Sequence, residues 1–176
     1  TVWNSFVQFD PREASHQIIR ELRIPRAVAA AVTGAFLAVS GSIMQGMTRN
    51  PLASPSIMGV TAGSSFVLSL VFVFNAQASP NQLVFWSFVG SGLGALLVFG
   101  IGSLSKRGLT PVKLALAGSA VTALLTSVSS ALALHFDVAR DLSFWYAGGV
   151  AGVSWESVRI MLPIAVIGLL AALLIA

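Results

Sequence analysis

Long apolar runs alternate with short polar breaks along most of this chain. Five runs predict membrane-crossing helices, at about Ala27–Met47, Ile57–Asn75, Leu83–Leu104, Val112–Phe136 and Val158–Ala176. Each is near the roughly 20 residues a helix needs to cross bilayer hydrocarbon. The sharpest break is Arg49-Asn50-Pro51-Leu52-Ala53-Ser54-Pro55. There Pro51 removes a backbone donor and biases Asn50 away from helix, and Pro55 does the same to Ser54. Asn75–Asn81 and Ser105–Pro111 read as two further turns. No fixed-period repeat or low-complexity tract interrupts the pattern. Thr1 at one end and the apolar Leu173-Leu174-Ile175-Ala176 at the other are expected of a piece of a longer polypeptide.

Residues 1–26 differ in kind. They are dotted with charge and lack the apolar core of a signal peptide. Asp10-Pro11-Arg12-Glu13 predicts a helix start, with Asp10 as cap, Pro11 at the first helical position and Glu13 as capping-box partner. Ala14, Ile18, Ile19 and Leu22 then recur at helical spacing, which predicts a short amphipathic helix against the membrane or the bundle. The first span is expected to begin near Pro25.

Composition sharpens the class. Apolar residues make up 56% and charged residues 9%, with a mean hydropathy of +0.87. Soluble chains carry about 25% charge, so the expected fold is an all-α, polytopic transmembrane helical bundle. The absence of cysteine leaves no disulfide framework or thiolate chemistry, and His16 and His135 lie too far apart in sequence to suggest a metal cluster. A scattered net charge of +4 does not suggest nucleic acid; contact with lipid headgroups and protein partners suits it better. If the spans alternate, Arg49, Lys106, Arg107 and Lys113 share one side, and the other six Lys/Arg residues share the other with all six acids. The positive-inside rule alone leaves orientation open.

Within the spans the polar residues are small: Thr33, Ser40, Ser42, Thr61, Ser64, Ser65, Ser91, Ser119, Thr122, Thr126 and Ser127. Gly90-xxx-Gly94 and Gly34-xxx-Ala38 allow close approach between helices. The small polar residues read chiefly as tight packing, with a substrate pathway lined by some of them as the second reading. No Asp, Glu, Lys or Arg sits mid-span, which disfavours a proton-coupled pump. No cluster with catalytic spacing supports a membrane-anchored enzyme. Gln45, between Met44 and Met47, reads as packing, with a place on the pathway as the alternative, and Trp86, Trp145, Tyr146 and Trp155 fit interfacial aromatic belts.

Several blocks together resemble a known family. They are Leu22-Arg23-Ile24-Pro25-Arg26, Ser40-Gly41-Ser42-Ile43-Met44-Gln45-Gly46, and Arg49 through Val60. Leu114-Ala115-Leu116-Ala117-Gly118 and Phe144-Trp145-xx-Gly148-Gly149 follow in order. This pattern resembles the iron-chelate uptake permeases, the ABC importer membrane subunits that include the cobalamin permease. The resemblance implies a fragment of a ten-span permease holding its second to sixth spans, without the first, the last four and the segment that grips the ATPase. It places residues 1–26 and 137–155 outside, and the turns at Arg49–Ser56 and Ser105–Pro111 in the cytoplasm.

The same resemblance implies roles. Arg23 and Arg26 would meet acidic residues of an extracytoplasmic substrate-binding protein; snorkelling to lipid phosphate or pairing with Glu21 is the alternative. Thr110 and Pro111 stand where the family carries a cytoplasmic gate, although Pro111 departs from the small polar residues of the cobalamin permease, and a plain turn is the alternative. Asn50 and Pro51 read as a structural turn. The implied function is import of a ferric siderophore or related iron chelate through a bacterial plasma membrane by alternating access, with haem or cobalamin as family alternatives. A secondary transporter or channel is the alternative from another class. The implied partners are a second permease subunit, identical or homologous, cytoplasmic ATP-binding subunits that hydrolyse ATP, and the binding protein. The permease needs no cofactor and does no chemistry.

Overall fold

The computed structural model describes residue 3, residues 7–104 and residues 110–175, the side chain of residue 175 excepted. Lys106, Arg107 and most of the expected Ser105–Pro111 turn lie outside the described residues. Among those described, the structure is helical with no strand. We label the helices α1 (Ala14–Thr48), α2 (Val60–Phe74), α3 (Pro80–Ser103), α4 (Pro111–His135), α5 (Ala139–Gly148) and α6 (Trp155–Ile175). A 3-10 turn, Pro55–Met58, precedes α2. The chain forms two compact units, Thr1–Ile43 with Gly148–Ala176, and Met44–Ala147.

Four helices, α1, α3, α4 and α6, are long and apolar enough to cross a membrane, and α2 is the shorter one. The 15 residues of α2 span only about 22 Å, against about 30 Å of hydrocarbon. The run expected from Ile57 is broken by Gly59, whose φ of 71° ends the 3-10 turn and starts α2. The short helix is the most enclosed one: Ala62, Gly63, Val67, Leu68, Ser69 and Phe72 are all buried.

Serine or threonine followed by proline starts three of these segments. Ser54, Ser79 and Thr110 each turn an extended backbone into the helix and accept an N–H from the first turn, while Pro55, Pro80 and Pro111 fill positions needing no donor. Ser79 and Gln82 complete a reciprocal capping box. Helix ends use left-handed residues. After α1, Arg49 (φ 49°) closes the last turn as Asn50 N–H donates to the Gln45 carbonyl and Arg49 N–H to that of Gly46. Asn50 Oδ1 then accepts the Leu52 N–H at 2.9 Å, and Ala53 N–H donates to the Asn50 carbonyl at 3.1 Å, so Asn50 and Pro51 form a hydrogen-bonded turn. Asp137 (φ 58°) ends α4 in a similar way.

The amino-terminal segment corrects two expectations. Asp10 does not cap a helix: its Oδ1 accepts the Arg12 N–H at 2.8 Å and its carbonyl accepts the Glu13 N–H, which makes a turn at Pro11. The helix begins at Ala14, and the Glu13 carboxylate faces Ser15 and His16 instead of reaching back. The short amphipathic helix and the first span are one continuous helix, because Ile18–Arg23 widens into a π turn and carries the chain through Pro25. Buried His16 accepts the Asp10 N–H on Nδ1, lies 3.3 Å from Glu13 through Nε2 and stacks on Phe9, over which Arg20 also sits. Residues 137–155 contain a helix, α5, that the span pattern did not predict; Leu142 and Val138 anchor it beside Leu68, Phe72 and Leu83.

In Met44–Ala147, backbone meets backbone. Gly63 faces Gly90 and Gly94, and Gly94 in turn faces Gly59, so the expected Gly90-xxx-Gly94 pair crosses a Gly59-xxx-Gly63 pair. A Cβ on Gly63 would sit 2.8 Å from the Gly94 Cα and overlap the Gly90 carbonyl. Gly118 of α4 lies in the same way against the Ile57 carbonyl. Ser64 and Ser87 bridge α2 and α3 through their hydroxyls at 2.7 Å. Gly34, by contrast, has open space around it, and the Gly34-xxx-Ala38 pair meets no neighbour there. Gly94→Val should therefore cost about 1–3 kcal/mol or more through overpacking and lower the melting temperature in detergent by several degrees. Gly92→Val, on the same helix but with nothing within 4 Å of its added Cβ, should leave it nearly unchanged. Equal melting of the two variants would reject this account of the crossing.

Candidate functional site

An open groove of about 590 Å³ runs between α2 and α4. The 3-10 turn contributes Ser56 and Ile57, α2 contributes Thr61 and Ser65, and α4 contributes Ser119, Thr122 and Thr126. Helical spacing explains the convergence. Thr61 and Ser65 are four residues apart, as are Thr122 and Thr126, so each pair stacks on one helix face. Gly118 lets α4 approach the 3-10 turn closely enough to close one end. Ser65 and Ser119 donate to carbonyls one turn back, at 2.9 and 2.8 Å, which leaves their oxygens as acceptors toward the groove. Thr61, Thr122 and Thr126 make no side-chain hydrogen bond among the described residues, so their hydroxyls remain available. Among the described residues no charged side chain lines the groove. It can solvate a polar, uncharged surface while its Ile57, Ala62 and Ala123 walls accept apolar parts. The sequence reading gave these hydroxyls chiefly a packing role; what distinguishes them is that they face one space.

A second cleft, of about 800 Å³, opens in the other unit beside Arg20, Glu21, Trp155, Glu156, Arg159 and Pro163. Its four charged side chains form no ion pair within 4 Å among the described residues. Arg23 is exposed on the π turn, and Arg26 follows just after Pro25 and is half-buried. Neither pairs with Glu21: Arg23, two residues on, points away from it on the helix, and Arg26 lies beyond Pro25, five residues on. The Arg26 Nε is buried without a hydrogen-bond partner among the described residues. Among the described residues neither arginine meets an acid that neutralises its charge.

Thr110 and Pro111 sit at the start of α4 and are exposed. The Thr110 hydroxyl accepts the Lys113 N–H at 3.3 Å, so a capping role accounts for this residue locally. Asn50 and Pro51 are likewise accounted for by their turn. Of the residues around Gln45, Met44 is buried in the core with Met58 and Leu114, while Gln45 and Met47 are exposed.

With the geometry in place, comparison with known proteins decides the family. The chain matches the FecCD transport family over residues 1–176. It belongs to that family. It is 60% identical, over all 176 residues, to the iron(3+)-hydroxamate import system permease protein of Bacillus subtilis, covering 100% of this chain and 46% of that protein. It is 35% identical over 165 residues to the ferric enterobactin transport system permease protein of Escherichia coli, covering 93% of this chain and 49% of the other. A solved structure described as an inward-facing conformation of a metal-chelate type ABC transporter superposes with a TM-score of 0.75 at 28% identity, over 91% of this chain and 51% of that one. The chain thus spans about half the length of the curated relatives it matches. These relatives are named as permease proteins of import or transport systems, and the family together with the four long apolar helices makes this a multi-pass membrane chain.

Capping and gating at Thr110 lead to different outcomes. Capping predicts that Thr110→Ser is harmless, while Thr110→Ala loses about 1 kcal/mol and lowers the melting temperature without a matching loss of uptake. Gating predicts that Thr110→Trp abolishes uptake while thermal stability holds. Melting and uptake measured on the same three variants separate the two.

Proposed function

We propose that this chain is part of the permease of an ATP-driven ABC importer that moves a ferric siderophore of hydroxamate type through a bacterial plasma membrane. The observation that carries this reading is the 60% identity, across every residue of the chain, to a permease named for iron(3+)-hydroxamate import. The α2–α4 groove supports it chemically. A chelate that wraps its iron presents hydroxyl, carbonyl and apolar surface with little formal charge at any one point. A wall of Thr61, Ser65, Ser119, Thr122 and Thr126 meets such a surface with weak, exchangeable hydrogen bonds and holds no fixed charge to trap it.

In this reading residues 1–26 and 137–155 face outward and the Arg49–Ser56 and Thr110–Pro111 turns face the cytoplasm. The domain organisation is then an extracytoplasmic segment followed by the transmembrane permease region. Arg23 and Arg26 take acidic side chains of a substrate-binding protein, which the absence of an ion-pair partner for them among the described residues favours. A second permease subunit completes the pathway, and cytoplasmic ATP-binding subunits hydrolyse ATP and switch the pair between outward- and inward-open states. The permease supplies path and timing, with no reaction of its own.

Reconstituted with its partners in vesicles, the system should accumulate ferric hydroxamate only with ATP inside the lumen that stands for the cytoplasm. Uptake that survives ATP removal but collapses with the ion gradient would make the system a secondary transporter. Thr122→Leu with Thr126→Leu should cut that uptake at least about tenfold, about 1.4 kcal/mol in the barrier, without lowering thermal stability; unchanged uptake would remove the groove from the path. Arg23→Glu with Arg26→Glu should weaken binding-protein affinity and flatten its salt dependence. Unaltered affinity and salt slope would leave these arginines to lipid.

A further inference from the structure

The π turn in α1 strands one backbone acceptor. Within Ile18–Arg23 the hydrogen bonds skip five residues, and the Ile24 N–H donates to the Ile19 carbonyl. In the same register residue 25 would donate to the carbonyl of Arg20, but residue 25 is proline and has no N–H. The Arg20 carbonyl instead accepts the indole Nε1–H of Trp155 at 2.8 Å, from 135 residues away in sequence. Indole nitrogen is a donor only, so it suits a lone carbonyl. Trp155 is the first residue of α6 and is half-buried, and Pro25 is fully buried.

We propose that Trp155 is a positioning residue: its indole stands in for the N–H that Pro25 lacks and holds the turn that presents Arg23 and Arg26. The functional half rests on the reading of those two arginines as docking cations. The π turn matters because its extra residue sets direction. Reverting to the α register would rotate Arg20 and Arg23 by about 100° relative to Arg26, one residue's share of a 3.6-residue turn. It would also drive the Pro25 ring against the carbonyl four residues back, that of Glu21. With the indole in place the wide turn is satisfied, and three arginines at positions 20, 23 and 26 keep fixed relative directions. Without it the carbonyl depends on water, and the wide turn is held less firmly.

The test uses the assembled permease in lipid nanodiscs. Trp155→Phe keeps the ring and removes the donor. Affinity for the substrate-binding protein should fall about two- to tenfold, the range for one neutral hydrogen bond. A nitroxide attached at Arg23→Cys, the single cysteine that change introduces into this chain, should become more mobile when Trp155→Phe is added. Pro25→Ala returns an N–H to position 25, so in the Trp155→Phe background it should restore both affinity and label immobility. An aromatic anchored only in the headgroup layer would not respond to the residue at 25. Unchanged label mobility in Trp155→Phe, or no recovery with Pro25→Ala, overturns the proposal. If Trp155→Phe does not fold, recovery of folding by Pro25→Ala supports it and continued failure overturns it. A label that loosens and recovers while affinity stays constant supports the tether and rejects the docking reading alone.

Discussion

The backbone-to-backbone crossing of α2 with α3 is the constraint on which the Met44–Ala147 unit depends. Lipid is as apolar as a leucine side chain, so hydrophobic burial gives membrane helices little reason to associate. What remains is close dispersion contact and hydrogen bonding, and both require the helix axes to approach. Gly59, Gly63, Gly90 and Gly94 supply the approach, and Gly118 extends it to the turn that precedes α2. Once the backbones touch, Leu68 and Ser69 have no exposure left, and the Ser64–Ser87 bridge comes within hydrogen-bond distance. The groove adjoins the same contact: Gly118, which brings α4 against the 3-10 turn, also lines the hydroxyl-bearing space between α2 and α4.

Polar groups in this chain are handled by three local devices. Hydroxyl–proline pairs at Ser54, Ser79 and Thr110 begin segments, left-handed residues at Arg49 and Asp137 end α1 and α4, and serines inside spans donate to carbonyls of their own helix. Each device satisfies backbone or side-chain polarity without a partner from elsewhere, which suits a solvent that offers none. Arg49 is an unusual choice for a position that glycine commonly fills. Its left-handed conformation is held by the two hydrogen bonds that close α1 and by the Asn50 turn that follows.

Helix class and approximate helix positions were legible because hydropathy and proline placement act locally. Gly90 and Gly94 were legible as a contact because their spacing puts both on one face, but the sequence carries no mark that Gly59 and Gly63 are their partners. The hydroxyls of Thr61, Thr122 and Thr126 resemble those of any small-residue span until folding turns them toward a single space. Pro25 misled because proline ordinarily marks a helix start; here a widened turn and a distant indole remove both objections to it. Helix α5 was hidden because its ten residues are too short and mixed for a span. Trp155 appeared only as one more interfacial aromatic, since nothing in its local sequence predicts a bond to residue 20.

That bond also sets a schedule. Arg20 and its donor are 135 residues apart, and at roughly 5–20 residues per second of synthesis the carbonyl waits about 7 to 27 s for the indole to be made. For most of that interval all of α1, through Thr48, is already made while the donor for the Arg20 carbonyl is not. The geometry of α1 is thus completed by a helix made well after it, α6.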